Sequence, residues 1–134
     1  MKTFLLEIIT PYGKYYSQEV EFLSLSSSKG VLGILPNHTP LISDVLICEI
    51  VIRKDSESDS YSTSGGIINI KKEKVTLLLN SIEHEKEIDI ERAKQAKERA
   101  KKNLEAAKRD SRIDIARAEA ALSRAINRIK VYSK

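Results

Sequence analysis

Every glycine and proline of this 134-residue chain lies in its first half: the five Gly and three Pro all fall at or before Gly66. Glycine reaches the positive φ of tight turns, and proline fixes φ while removing a donor, so the two halves cannot share one architecture. The first is cut into short elements joined by turns, whereas the second is free to run as long helices. Other residue types divide at the same place. Six of the seven aromatics lie in the first part and only Tyr132 in the second, where Ala, Lys, Arg and Glu dominate. Those are strong helix formers. The chain therefore reads as two domains, residues 1–84 and 85–134, divided within the polar stretch Ser81 to Glu87. At 41% hydrophobic it can bury one moderate core, or a small core with an appendage.

The first part predicts strands. Thr3 to Ile9 is bounded by Pro11 and Gly13, and Val20 to Leu25 alternates with Glu21 and Ser24 outward against Val20, Phe22 and Leu25 inward. Val45 to Ile52 and Val75 to Leu79 are continuous β-branched or Leu runs, expected as strands buried on both faces. Lys54 to Ser60 is expected as a charged hairpin loop, and Gly65-Gly66 as a turn or bulge before the run Ile67 to Ile70. Short strands at this spacing favour an antiparallel β-sandwich over a parallel sheet.

The second part predicts two helices, which makes the fold α+β. Asp89 is placed to cap the first, with Glu91 in its opening turn favouring the helix dipole. Ile90, Ala93, Ala96, Ala100, Leu104 and Ala107 form one stripe, and Ile115, Ala118, Leu122, Ala125 and Ile129 form another at steps of 3, 4, 3 and 4. Both are coiled-coil seams of small residues. A short connection around Asp110-Ser111 folds the pair into an antiparallel hairpin. The seam is thin. A buried methyl-sized group contributes only ~0.8 kcal/mol, so such a hairpin holds together by a few kcal/mol and is free to adopt a second arrangement when a partner compensates.

Charge follows the same division. Residues 1–80 carry 8 basic and 9 acidic side chains and residues 81–134 carry 15 and 10, so the net +4 is −1 plus +5. The helical part is suited to an acidic partner. Arg92 and Arg99 share one stripe, Arg124 and Arg128 another, and a reversal near residue 110 brings Arg92 level with Arg128 and Arg99 near Arg124. No acidic residue lies three or four places from Arg99, Arg124 or Arg128; the same holds for Lys97, Arg112 and Lys130. Crowded guanidinium groups repel unless an anion joins them, and their planar forks match phosphate oxygens two at a time, so a polyphosphate would fit.

No catalytic or metal-binding constellation is legible. Cys48, the one cysteine, sits in a β-branched run and reads as a small buried side chain of a protein kept in a reducing compartment. His84 lies among Glu83, Glu85, Lys86 and Glu87 and reads as part of a solvated linker rather than a metal ligand. The chain lacks a Gly-rich phosphate loop, a signal-peptide-like start and any ~20-residue apolar span, so it is expected to be soluble, or peripheral through a partner, and not an enzyme by itself.

The densest punctuation is Gly30-Val31-Leu32-Gly33-Ile34-Leu35-Pro36-Asn37-His38-Thr39-Pro40, a shaped surface loop in which His38 reads as a contact residue or turn former rather than a base. With Leu41-Ile42 after it, this string resembles the signature of the epsilon subunit family of rotary ATP synthases, bacterial type. Ile88-Asp89-Ile90-Glu91-Arg92-Ala93 likewise matches at all four fixed positions the I/L-D-x-x-R-A motif associated with ATP binding in that family. The resemblance spans nearly the whole chain. It implies a sandwich that binds the gamma subunit and the ring of c subunits, coupling proton flow to ATP synthesis, with Pro36, His38 and Pro40 on the partner surface. It implies a helical hairpin that extends toward the beta subunits and restrains ATP hydrolysis. ATP, a regulatory ligand rather than a required cofactor, would bind at Ile88, Asp89, Arg92 and Ala93 with Arg99, Arg124 and Arg128 toward its phosphates, and favour the folded hairpin. The expected location is the cytoplasmic face of the bacterial membrane, held peripherally without insertion.

The reading from another class is a nucleic-acid-binding module using the +5 helical part. Base stacking or groove reading needs aromatics or a polar recognition face that the hairpin lacks, so no nucleic-acid partner is expected.

Overall fold

Ten strands, each three to eight residues long, precede two helices of eighteen residues in the computed structural model, which describes residues 2–133. The strands are β1 (Phe4–Thr10), β2 (Gly13–Val20), β3 (Phe22–Ser27), β4 (Gly30–Ile34), β5 (Leu41–Val45), β6 (Cys48–Lys54), β7 (Glu57–Thr63), β8 (Gly66–Ile70), β9 (Lys74–Leu79) and β10 (Ile82–His84). They form two five-stranded sheets ordered β2-β1-β9-β8-β5 and β10-β7-β6-β3-β4. Pairing is antiparallel except between β1 and β9, where Leu6 stands level with Val75 in a parallel ladder. Both sheets give their inner faces to one core, in which Leu6, Ile8, Val20, Leu23, Ile34, Ile50, Ile68 and Leu77 are wholly buried.

The sandwich matches the expected class, but its strands are divided differently. The run Val45 to Ile52 is not one strand: β5 ends at Val45 in one sheet and β6 begins at Cys48 in the other. The chain crosses between layers at Leu46-Ile47, a step that hydrophobicity alone does not mark. Val20 to Leu25 is likewise split by a bend at Glu21, which shifts the alternation by one residue. Leu23 and Leu25 therefore face the core, Phe22 does not, and Glu21 is buried. Its carboxylate accepts from Ser56 N at 3.1 Å and pairs with Arg53 at 3.5 Å.

Nor are the apolar strands buried on both faces. In β9, Val75, Leu77 and Leu79 point inward and Leu78 remains 48% exposed, because each sheet has only one partner layer. The charged segment Lys54 to Ser60 is mostly strand, its turn confined to Asp55 and Ser56, which both take positive φ (52° and 64°) as a two-residue hairpin turn requires. Gly30 to Ile34, read as loop, pairs with β3. Gly65-Gly66 does open a strand, for a steric reason: a Cβ on Gly66 would stand 2.0 Å from the Leu78 carbonyl oxygen.

After His84 the chain forms a second compact unit. Here α1 (Ile90–Ala107) and α2 (Ile115–Tyr132) start on Asp89 and Asp114, whose carboxylates each accept from the backbone N–H three residues on at 3.1 Å. The α1 chain stops where Arg109 and Asp110 both donate to the Ala106 carbonyl. Asp110 then receives Arg112 three times, from its N, Nε and Nη2, each at 3.0 Å. The helices pack along each other as the expected hairpin. Ala93, Ala100, Ala118 and Ala125 are buried, paired seven apart along each helix, while Ile115 at the hairpin's tip is 51% exposed.

Candidate functional site

Two surfaces carry the residues that the sequence singles out. The first is the segment between β4 and β5. Asn37 takes φ 65°, which lets the chain reverse between Pro36 and Pro40, and His38 Nδ1 donates to the Thr39 carbonyl at 2.7 Å. That bond folds the imidazole back on its own backbone. Pro36 and His38 are half-buried and Pro40 exposed. On the flanking strands Val31 and Ile42 are 75% and 72% exposed, and Leu35 is 55% exposed. Across from them Asp44 accepts from Ser28 Oγ at 2.8 Å and Ser28 N at 3.1 Å, bonds that hold its carboxyl below the usual range and tie the β3–β4 turn to β5. The result is a braced loop rimmed with bare aliphatic side chains.

The second surface is the start of α1 and the cationic faces of the hairpin. Ile88 and Ala93 are buried, while Asp89 and Arg92 are exposed. Asp89 is occupied as the cap through Arg92 N, and its carbonyl accepts Ala93 N at 3.0 Å, so Arg92 and Ala93 lie in the opening turn of α1 and Ile88 stands just before the cap. Arg99 and Arg124 line different cavities. Arg99 lines a shallow groove of about 510 Å³ along α1 with Lys94, Glu98 and Lys102. Arg124 opens onto a cleft of about 520 Å³ near the turn, with Asn103, Arg117 and Asp114. Arg128 is half-buried farther along α2. Arg117 escaped the sequence reading because Asp114 stands three places before it, yet the structure shows Asp114 bonding its backbone N–H. Arg112, by contrast, is bound by Asp110, which is held below its usual range in return.

Two further groups bear on chemistry. Cys48 is buried as expected, and burial pushes its thiol up, away from the reactive thiolate. His84 is not part of a solvated linker: it ends β10, keeps only 18% of its side chain exposed, and meets Asp59 of β7 at 3.0 Å.

The chain matches two family patterns in succession: the ATP synthase delta/epsilon chain β-sandwich domain over residues 3–85, and the delta/epsilon chain long α-helix domain over residues 86–133. It is 40% identical to the ATP synthase epsilon chain of Bacillus cytotoxicus over 98% of its own length and 97% of that protein's. Identity is again 40% to the epsilon chain of Halalkalibacterium halodurans, covering 98% of each. A chain in the Euglena gracilis mitochondrial ATP synthase OSCP/F1/c-ring structure shares the fold with a TM-score of 0.79 at 18% identity, over 90% of this chain and 76% of that one. The order of sandwich then helices and the full-length identity agree, and the chain belongs to the epsilon-chain family of ATP synthase, a non-catalytic subunit.

Proposed function

We propose that the sandwich docks on the gamma subunit and the c ring through the Pro36–Pro40 loop and its aliphatic rim, so that proton flow and ATP synthesis are coupled, and that the helical hairpin is the regulatory element. The hairpin would extend toward the beta subunits and restrain ATP hydrolysis, with ATP at the Ile88–Ala93 turn opposing extension. The subunit would sit peripherally at the cytoplasmic face of a bacterial membrane. Among the described residues no helix is long and apolar enough to cross a membrane.

The observation that carries this reading is the contrast between the two units. The sandwich has a core of large aliphatic side chains, whereas the buried residues of the two helices are four alanines, Asn127 and a single larger aliphatic side chain, Val131. Each alanine contributes little more than ~0.8 kcal/mol of burial, an amount that a partner or a ligand can outweigh. The excess of basic residues suits an acidic partner.

The test is reconstitution of the complex with residues 1–84 alone. Coupled synthesis should persist while restraint on hydrolysis is lost; inhibition equal to that of the intact chain would refute the regulatory role. Calorimetric titration of the full chain with ATP tests the ligand. Arg92→Ala and Arg128→Ala should each weaken binding about tenfold or more, and Arg112→Ala, its side chain already held by Asp110, should change it little. Equal loss in all three variants would reduce the arginines to a solvated basic edge.

A further inference from the structure

The last strand of the sandwich is held differently at its two ends. β10 lies at the edge of the second sheet and pairs with β7, Ile82 opposite Thr63, Glu83 opposite Ser62 and His84 opposite Tyr61. Its entry is pinned by groups that do not titrate. Ile82 is buried in the core, Thr63 Oγ1 donates to the Ser81 carbonyl at 2.7 Å, and the Ser64 and Ser81 hydroxyls meet at 2.6 Å. At its other end His84 Nε2 lies 3.0 Å from Asp59 Oδ1. Asp59 stands two residues before Tyr61 and so projects from the same face of β7. The Tyr61 ring meets the imidazole edge-on at 5.0 Å, and Tyr15 and Tyr16 of β2 meet Tyr61 edge-on at 6.3 and 6.4 Å, so a wall of rings holds the imidazole beside the carboxylate.

We propose that His84 and Asp59 form a proton-operated clasp on the end of β10, closed when the imidazole is charged and loosened when it is neutral. Imidazole is the side chain whose charge ordinarily changes between about pH 5 and 8. When both ring nitrogens are protonated, Nε2–H donates to the Asp59 carboxylate across opposite charges, and such a bond is stronger than a neutral one. Loss of the proton leaves a weaker donor or turns a lone pair toward the carboxylate. The other titratable groups on the facing strands are the tyrosines of β7 and β2; burial first and the Asp59 charge second push the Tyr16 phenol up, so it stays neutral while the imidazole titrates. Along the chain Glu83 and Glu85 flank His84, with Lys86 beyond. A rise in pH therefore frees the end of the strand while Ile82 stays anchored. His84 is the last residue of the sandwich unit, so the clasp sets where ordered strand gives way to the segment leading to α1. It depends neither on ATP nor on docking of the Pro36–Pro40 loop.

Amide exchange of the full chain, followed residue by residue by NMR between about pH 5.5 and 7.5, tests the proposal, each rate being divided by the random-coil rate at the same pH. Protection of the β10 amides should fall about threefold across that range relative to β6, the size expected of a partly exposed ion pair. In His84→Gln and in Asp59→Asn the ratio of β10 to β6 protection should be constant with pH, and His38→Gln should keep the parent's profile. Protection of β6 in the same spectra reports that each variant is folded, and the parent's own profile tests the clasp without any substitution. A flat ratio in the parent, or the parent's pH dependence retained in either His84→Gln or Asp59→Asn, would overturn it.

Discussion

At the scale of single residues, the sandwich is defined by a few positions where backbone or charge leaves no alternative. Gly66 is one, since any side chain there meets the Leu78 carbonyl across the β8–β9 ladder. Relief requires the two strands to part, so Gly66→Ala should cost about 3 kcal/mol or more, or abolish folding, in urea unfolding. Glu7 is another, on β1, where Lys74 and Lys14 both reach its carboxylate, the latter at 2.9 Å. Those bonds, Lys74 first, hold its pKa below the ordinary 4.5. A depressed carboxyl adds stability that is complete above its unfolded value and is lost as pH falls through the lowered one. Glu7→Gln should therefore be less stable than the parent at neutral pH, and the gap should shrink on acidification below about pH 4.5; denaturant midpoints across that range check it. A gap that stayed constant would mean that Glu7 acts through packing rather than charge.

At the scale of elements, the two helices and the strands are held by different physics. Each helix carries its own start signal in Asp89 or Asp114 and satisfies its backbone internally, so it needs from its neighbour only a close approach along Ala93, Ala100, Ala118 and Ala125. Ala125 is 1% exposed. Ala125→Leu adds three carbons where none fit and should destabilise the hairpin by about 1–3 kcal/mol. Helical circular dichroism during thermal melting should register this as an earlier loss of helix with little change in the sandwich transition. Strands have no such self-sufficiency. β2, with its polar sequence Gly-Lys-Tyr-Tyr-Ser-Gln-Glu-Val, exists because β1 offers it an antiparallel ladder interrupted only where the register shifts at Tyr15, and no pattern of its own announces it.

For the whole molecule, the division after His84 predicts that residues 1–84 unfold as one cooperative body without the helices. Calorimetry of the truncated chain should give a single transition, and a chain lacking dispersed amide resonances would contradict separate cores. The residues needed for that division were legible. The confinement of Gly and Pro to the first half, the Asp89 cap, the alanine seams, the short connection at Asp110 and the buried Cys48 all rest on interactions between near neighbours in sequence, and these report themselves in composition and spacing. So did the loop and the Ile88–Ala93 motif, as strings. What only the tertiary structure decided is which segments meet. The crossings between sheets at Glu21 and Leu46-Ile47, the parallel pairing of β1 with β9, the opening of Arg99 and Arg124 onto separate cavities, and the approach of Asp59 to His84 depend on partners far along the chain. A strand's hydrogen bonds are completed by another strand, so its register and its sheet are properties of the pair, and one sequence window cannot contain them.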